Sequence, residues 1–153
     1  MTLLDAIPEK ELVALDTVIW IYVVEANPVF GPAANLFFSE RLAKGLNQAG
    51  SSLLALGELL VQPLSLGNQN VADKYRLYFS PRENWQVWEV TRNVVERAAS
   101  LRAKYRLKMI DALHLATAIE NQAQFFLTND EGFRKVTEIK ILILVLCHNL
   151  IFG

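Results

Sequence analysis

Strand-sized apolar runs alternate with helix-length segments along nearly the whole chain, and few folds accommodate that rhythm. "LVALDTVIWI" (12–21) is a β-rich apolar run with one acid inside it. "SSLLAL" (51–56), "NWQVWEV" (84–90), "QFFLTN" (124–129) and "KILILVL" (140–146) are four more runs of strand length. Between them lie helix signals. One region starts near Trp20 and stops before Asn27-Pro28; the next, 31–50, opens near Pro32 and closes at Gly50. Residues 57–67 read as a short helix broken by Pro63, and 68–80 as another stopped by Pro81. Residues 91–108 carry apolar side chains at 94, 95, 98, 99, 101 and 105 behind an N-cap at Thr91, and 109–123 follow as a second helix. "DEGFRKV" reads as a loop with one helical turn. This order predicts an α/β fold with a central parallel sheet of about five strands and helices on both faces. In such sheets ligands bind beyond the carboxyl ends of the strands.

With 153 residues, 52% apolar and 20% charged, the chain is expected to form one globular domain, 1–153, with its core at about 12–146. The one cysteine, Cys147, excludes an internal disulfide framework and a cysteine-based zinc site. A reducing cytoplasm is the expected compartment. The longest apolar run, "ILILVL", is strand-sized, and no basic segment followed by an apolar one opens the chain. The net charge of −1 does not announce a nucleic-acid binder. Its distribution is less even: six basic residues fall between Arg92 and Lys108, opposed only by Glu96. They could contact phosphates or form a solvated helix face.

Four acids fall where that architecture would bring them to one rim. Asp16 lies late in the first strand run, flanked by "VAL" and "TVIW", where a carboxylate needs a partner or a cation. Glu58 begins the helix after the second strand, Asp111 sits in the first turn of the 109–123 helix, and Asp130 follows the fourth strand. Taken singly, the last three also read as helix-dipole carboxylates or an N-cap. Taken together they would repel: two unit charges about 5 Å apart at an effective dielectric near 20 cost roughly 3 kcal/mol. A cation or raised pKa values must offset that. An all-oxygen set suits Mg²⁺ or Mn²⁺ rather than zinc and favours phosphodiester chemistry. His114, three residues after Asp111, could share a site with it, but amid Leu and Ala it reads first as a packed, hydrogen-bonded structural residue. Thr128 and Asn129 could orient Asp130, bind a phosphate or form a turn. Trp20, Tyr22, Phe37, Phe38, Trp85 and Trp88 could stack bases but are spaced as core.

These residues carry a resemblance. "RAASLRAKYRLKMIDALHLATAIENQAQFFLTND", with "LDT" at the first strand and "GELL" after the second, resembles the PIN domains of VapC-type toxin ribonucleases. The resemblance covers nearly the whole chain and implies a three-layer α/β/α sandwich. It implies an Mg²⁺- or Mn²⁺-dependent endoribonuclease, an RNA substrate, a homodimer and a VapB-like antitoxin covering the site. Asp16, Glu58, Asp111 and Asp130 match the family's metal-binding acids, and Thr128 and Asn129 the residues that accompany the last of them. "ANLFFSERL" and the 57–67 helix are the expected antitoxin surface. Arg102, Lys104, Arg106 and Lys108 are the candidates for holding an RNA backbone. One position departs: where the family usually has a small polar residue after Asp16-Thr17, this chain has Val18. Thr17 is then the expected source of the missing hydroxyl. Two rivals stand beside the nuclease reading. One is a PIN-like binding module with weakened chemistry. The other is a phosphatase-like hydrolase, which would want an acid at position 18.

Overall fold

A computed structural model describes residues 2–145. The elements run α1 (Leu3–Ala6), β1 (Leu12–Leu15), α2 (Thr17–Val24), α3 (Gly31–Phe37), β2 (Gln48–Ser52), α4 (Leu53–Ser65), α5 (Gln69–Tyr78), β3 (Trp85–Trp88), α6 (Arg92–Tyr105), α7 (Met109–Glu120), β4 (Phe125–Thr128) and β5 (Lys140–Ile143). A π-helical segment, Phe38–Leu42, continues α3, and a 3₁₀ turn, Glu131–Phe133, follows β4.

Several boundaries differ from expectation. The run at 12–21 is two elements, because Asp16 ends the strand and caps a helix that starts at Thr17, ahead of Trp20. β2 begins at Gln48, not 51, and residues 53–56 belong to α4, capped by the Ser52 hydroxyl. Pro63 does not break α4; it is buried inside a helix that runs on to Ser65. The helix expected over 31–50 ends at Leu42. The last strand closes at Ile143, and the 147–153 tail lies outside the described residues.

All five strands are parallel, in the order β3-β2-β1-β4-β5. β1 is central, with Val13 paired to Ala49 on one side and to Phe125 on the other. Side chains alternate across the sheet. Val13, Leu15, Phe125 and Leu127 pack with Ile19, Trp20, Phe37, Leu59 and Tyr75 from α2 to α5. Ala14, Trp88 and Phe126 face the other way, onto Val94, Ala98, Leu101 and Leu115 of α6 and α7. The sheet is thus covered by helices on both faces, making three layers.

Of the aromatics spaced as core, Trp20, Phe37, Trp85 and Trp88 are buried, whereas Tyr22 and Phe38 are half-buried and each lines a cleft. Trp20 is 1% exposed, lies edge-on to Phe38 and Trp85, and donates its indole N–H to Ser51 Oγ at 3.0 Å. Ser51 in turn donates to the Leu15 carbonyl at 2.6 Å, which ties β2 to the end of β1. Gly50 makes room for Trp88: a β-carbon there would stand 2.3 Å from the indole. No helix among the described residues is long and apolar enough to cross a membrane.

Candidate active site

Where β1 ends, Asp16 turns the chain into α2. Its backbone N–H donates to the Leu127 carbonyl of β4 at 2.9 Å, so the neighbouring strand fixes the turn. Its carboxylate accepts the Thr17 N–H at 2.8 Å through Oδ1 and the Thr128 hydroxyl at 2.6 Å through Oδ2. Burial pushes the Asp16 carboxyl above its ordinary value. The Thr128 bond, the nearby His114 and the Thr17 N–H pull it down, and the Asp111 charge adds to the rise.

Asp111 projects from the first turn of α7 and is half-buried. Burial raises its carboxyl too, and the charges of Asp130 and Glu58 push the same way against His114 and Lys108. Asp130 is exposed and caps the turn after β4, its Oδ1 accepting the Gly132 N–H at 2.8 Å. Glu58 is not a first-turn carboxylate; it stands in the second turn of α4 and reaches the site through its side chain. Asp16, Thr17, Val18, Tyr22, Glu58, Asp111, His114, Asn129 and Asp130 all line one open cleft of about 520 Å³.

Three side chains act otherwise than their sequence positions suggest. Thr128 orients Asp16 rather than the Asp130 carboxylate, and it accepts the Asp130 backbone N–H at 3.1 Å. Asn129 is a brace: it donates to the Tyr22 hydroxyl at 2.9 Å and accepts the Val145 N–H at 2.8 Å. His114 is 5% exposed, but its Nε2 lies 2.5 Å from Glu58 Oε1, so it is more than packing. Its place three residues after Asp111, one helical turn on, was the only sign of this in the sequence.

Does the cleft suit a divalent ion? Among the described residues, no three His, Cys, Asp or Glu side chains stand so that they could hold one ion between them. The donors are nevertheless carboxylates and a hydroxyl, and Asp16 and Asp111 carry a charge penalty that a cation would relieve. Magnesium keeps several of its waters and is commonly held by one or two carboxylates rather than a closed cage. The set fits such a hydrated ion.

The PIN domain family model matches residues 13–139. The chain belongs to the PIN domain family. Its fold is similar to that of solved PIN-type structures at low sequence identity. A toxin–antitoxin complex from Klebsiella pneumoniae is 21% identical, with a TM-score of 0.65 over 86% of this chain and 97% of that one. VapBC2 from Rickettsia felis, bound to a promoter DNA fragment, is 19% identical, with a TM-score of 0.68 over 86% and 98%. VapC20 from Mycobacterium tuberculosis, a toxin that cleaves the sarcin–ricin loop, is 17% identical, with a TM-score of 0.64 over 84% and 98%. No curated protein matches by sequence.

Around this PIN domain cleft the basic residues divide. Arg102 donates to the Leu107 carbonyl at 3.0 Å and so braces the turn into α7. Lys104 is paired with Glu138 at 2.8 Å. Arg106 and Lys108 are exposed; Arg106 closes α6 in the left-handed region at φ 57°, and Lys108 caps α7 beside Asp111. Of the four candidates, Lys108 stands near enough to Asp111 for its charge to act on that carboxyl.

Proposed function

We propose that the chain is a divalent-metal-dependent endoribonuclease of the VapC toxin type, working in the cytoplasm as a single PIN-like domain. The observation that carries the reading is the gathering of Asp16, Glu58, Asp111 and Asp130, from four separate segments, around one cleft at the carboxyl end of a parallel sheet. Asp16 and Asp111 are the principal candidate ligands for Mg²⁺ or Mn²⁺, with Glu58 and Asp130 completing the set directly or through water. When bound, such an ion lowers the pKa of an attacking water and neutralises charge on a phosphodiester.

The protein's own contribution is positioning. Thr128 and the Thr17 N–H hold Asp16 by both oxygens, and the first turn of α7 holds Asp111. Arg106 and Lys108 supply exposed cations for the RNA backbone, while Arg102 and Lys104 hold the local fold. The expected products carry a 5′-phosphate and a 3′-hydroxyl. A VapB-like antitoxin is the expected partner, since the solved structures of similar fold include toxin–antitoxin complexes; a homodimer is the assembly the family resemblance implies. An apolar cavity of about 650 Å³ between α3, its π-helical continuation and α5 includes part of the "ANLFFSERL" surface and none of the 57–67 helix.

The test is RNA cleavage by wild type and Asp16→Asn, with Mn²⁺ or Mg²⁺ and with chelator. Residues behind metal ligands typically cost 10–100-fold when lost, so losing the ligand Asp16 should cost about 100-fold or more. The competing reading, a PIN-like module that binds RNA or protein without cleaving, draws on Val18, whose apolar side chain lines the cleft. Metal-independent, equal behaviour of the two proteins would favour it. A phosphoenzyme would favour the phosphatase-like alternative, for which Val18 leaves no second acid.

A further inference from the structure

The geometry points to His114 as a positioning residue that, together with Thr17, clamps Glu58 at the acid cleft by one oxygen. The inference rests on the metal-site reading above and assigns to it a residue outside the acid set. Glu58 sits on an exposed part of α4, with 39% of its side chain exposed. A glutamate there has several rotamers available, and the Asp111 charge repels it. Two donors oppose that tendency. The Thr17 hydroxyl donates to Glu58 Oε1 at 2.7 Å, and His114 Nε2 lies 2.5 Å from the same oxygen.

Proton bookkeeping assigns the roles. A carboxylate can only accept, so Nε2 carries the ring proton and donates it. The Thr17 hydroxyl has one proton, already given to Glu58, so its 3.4 Å approach to Nε2 follows from both groups sharing one acceptor. Oε1 is thus doubly engaged, and Oε2 has no hydrogen bond among the described residues. A histidine needed only for packing would not require a nitrogen aimed at a carboxylate from another helix. The clamp also gives the Thr17 hydroxyl a task beside Val18: it secures the acid from α4.

Mn²⁺ binding to the purified full chain, followed by electron paramagnetic resonance of the free ion, tests this. His114→Phe keeps the ring volume and removes the donor; it should weaken Mn²⁺ binding about 10–100-fold, as losses behind a ligand do. His114→Gln keeps an N–H donor and should recover most of that affinity. In a Glu58→Gln background, His114→Phe should change Mn²⁺ binding little, because the interaction it breaks runs through Glu58. Wild-type affinity in His114→Phe, alongside weakened binding in Asp16→Asn, overturns the clamp and leaves the metal site standing. Binding no tighter in wild type than in Asp16→Asn overturns the metal site and the clamp with it. Should His114→Phe fail to fold, Thr17→Val removes the other donor; unchanged affinity there overturns the clamp, and weaker binding supports it.

Discussion

Asp16 carries its charge where burial penalises it, and that sets how stability responds to pH. Asp16 and Asp111 both have folded-state pKa values above the ordinary 3.8. Between that value and the raised one, the folded chain keeps protons that the unfolded chain has released. Stability therefore falls as pH rises through that window. Metal-free wild type should lose more melting temperature between about pH 4 and about pH 7 than Asp16→Asn, which removes one titrating group. Thermal melts in chelator check this. Thr128→Val should cost about 1–3 kcal/mol, since it strips a buried oxygen of its donor, and it should raise the Asp16 pKa further; urea unfolding and NMR titration measure the two effects. The sequence made Asp16 suspicious because an acid stood in an apolar run. It hid the reason: "TVIWI" (17–21) is rich in β-branched residues and reads as the end of a strand, yet tertiary packing makes it the start of a helix behind an aspartate cap. His114 was harder still, because its partner lies 56 positions away on another helix.

The elements show the same split between what pattern encodes and what contact decides. β4 and α7 were legible because their apolar residues are dense and bounded by turn chemistry. β2, "QAGSS", was not, since its burial depends on Trp88 lying over Gly50 and on the Ser51 hydroxyl joining Trp20 to Leu15. Gly50→Ala should cost about 1–3 kcal/mol, as overpacking does, with Trp88 fluorescence altered. Ser52→Ala, which removes the α4 cap, should cost about 1 kcal/mol; chemical denaturation measures both. Pro63 misled in the other direction. A proline inside a helix usually disrupts it, but here Pro63 is buried and the helix carries on to Ser65.

At the scale of the molecule, the parallel sheet with helices on both faces follows from simple alternation, whereas the strand order and the joining of four acids required coordinates. Binding of an ion at those acids should stabilise the fold by mass action. At about 100 times Kd, Mn²⁺ should add roughly 2.7 kcal/mol to wild type and little to Asp16→Asn, with chelator reversing the gain; paired denaturation curves test it. The parallel sheet has a consequence in time as well as in space. β1 lies between β2 and β4, and the turn at Asp16 is anchored by a carbonyl more than a hundred residues downstream, at Leu127. A chain emerging from the ribosome has no local hairpin with which to preassemble that corner. Its acids stay apart until the fourth strand has been made and docked, so translation itself delays assembly of the cleft in a growing polypeptide.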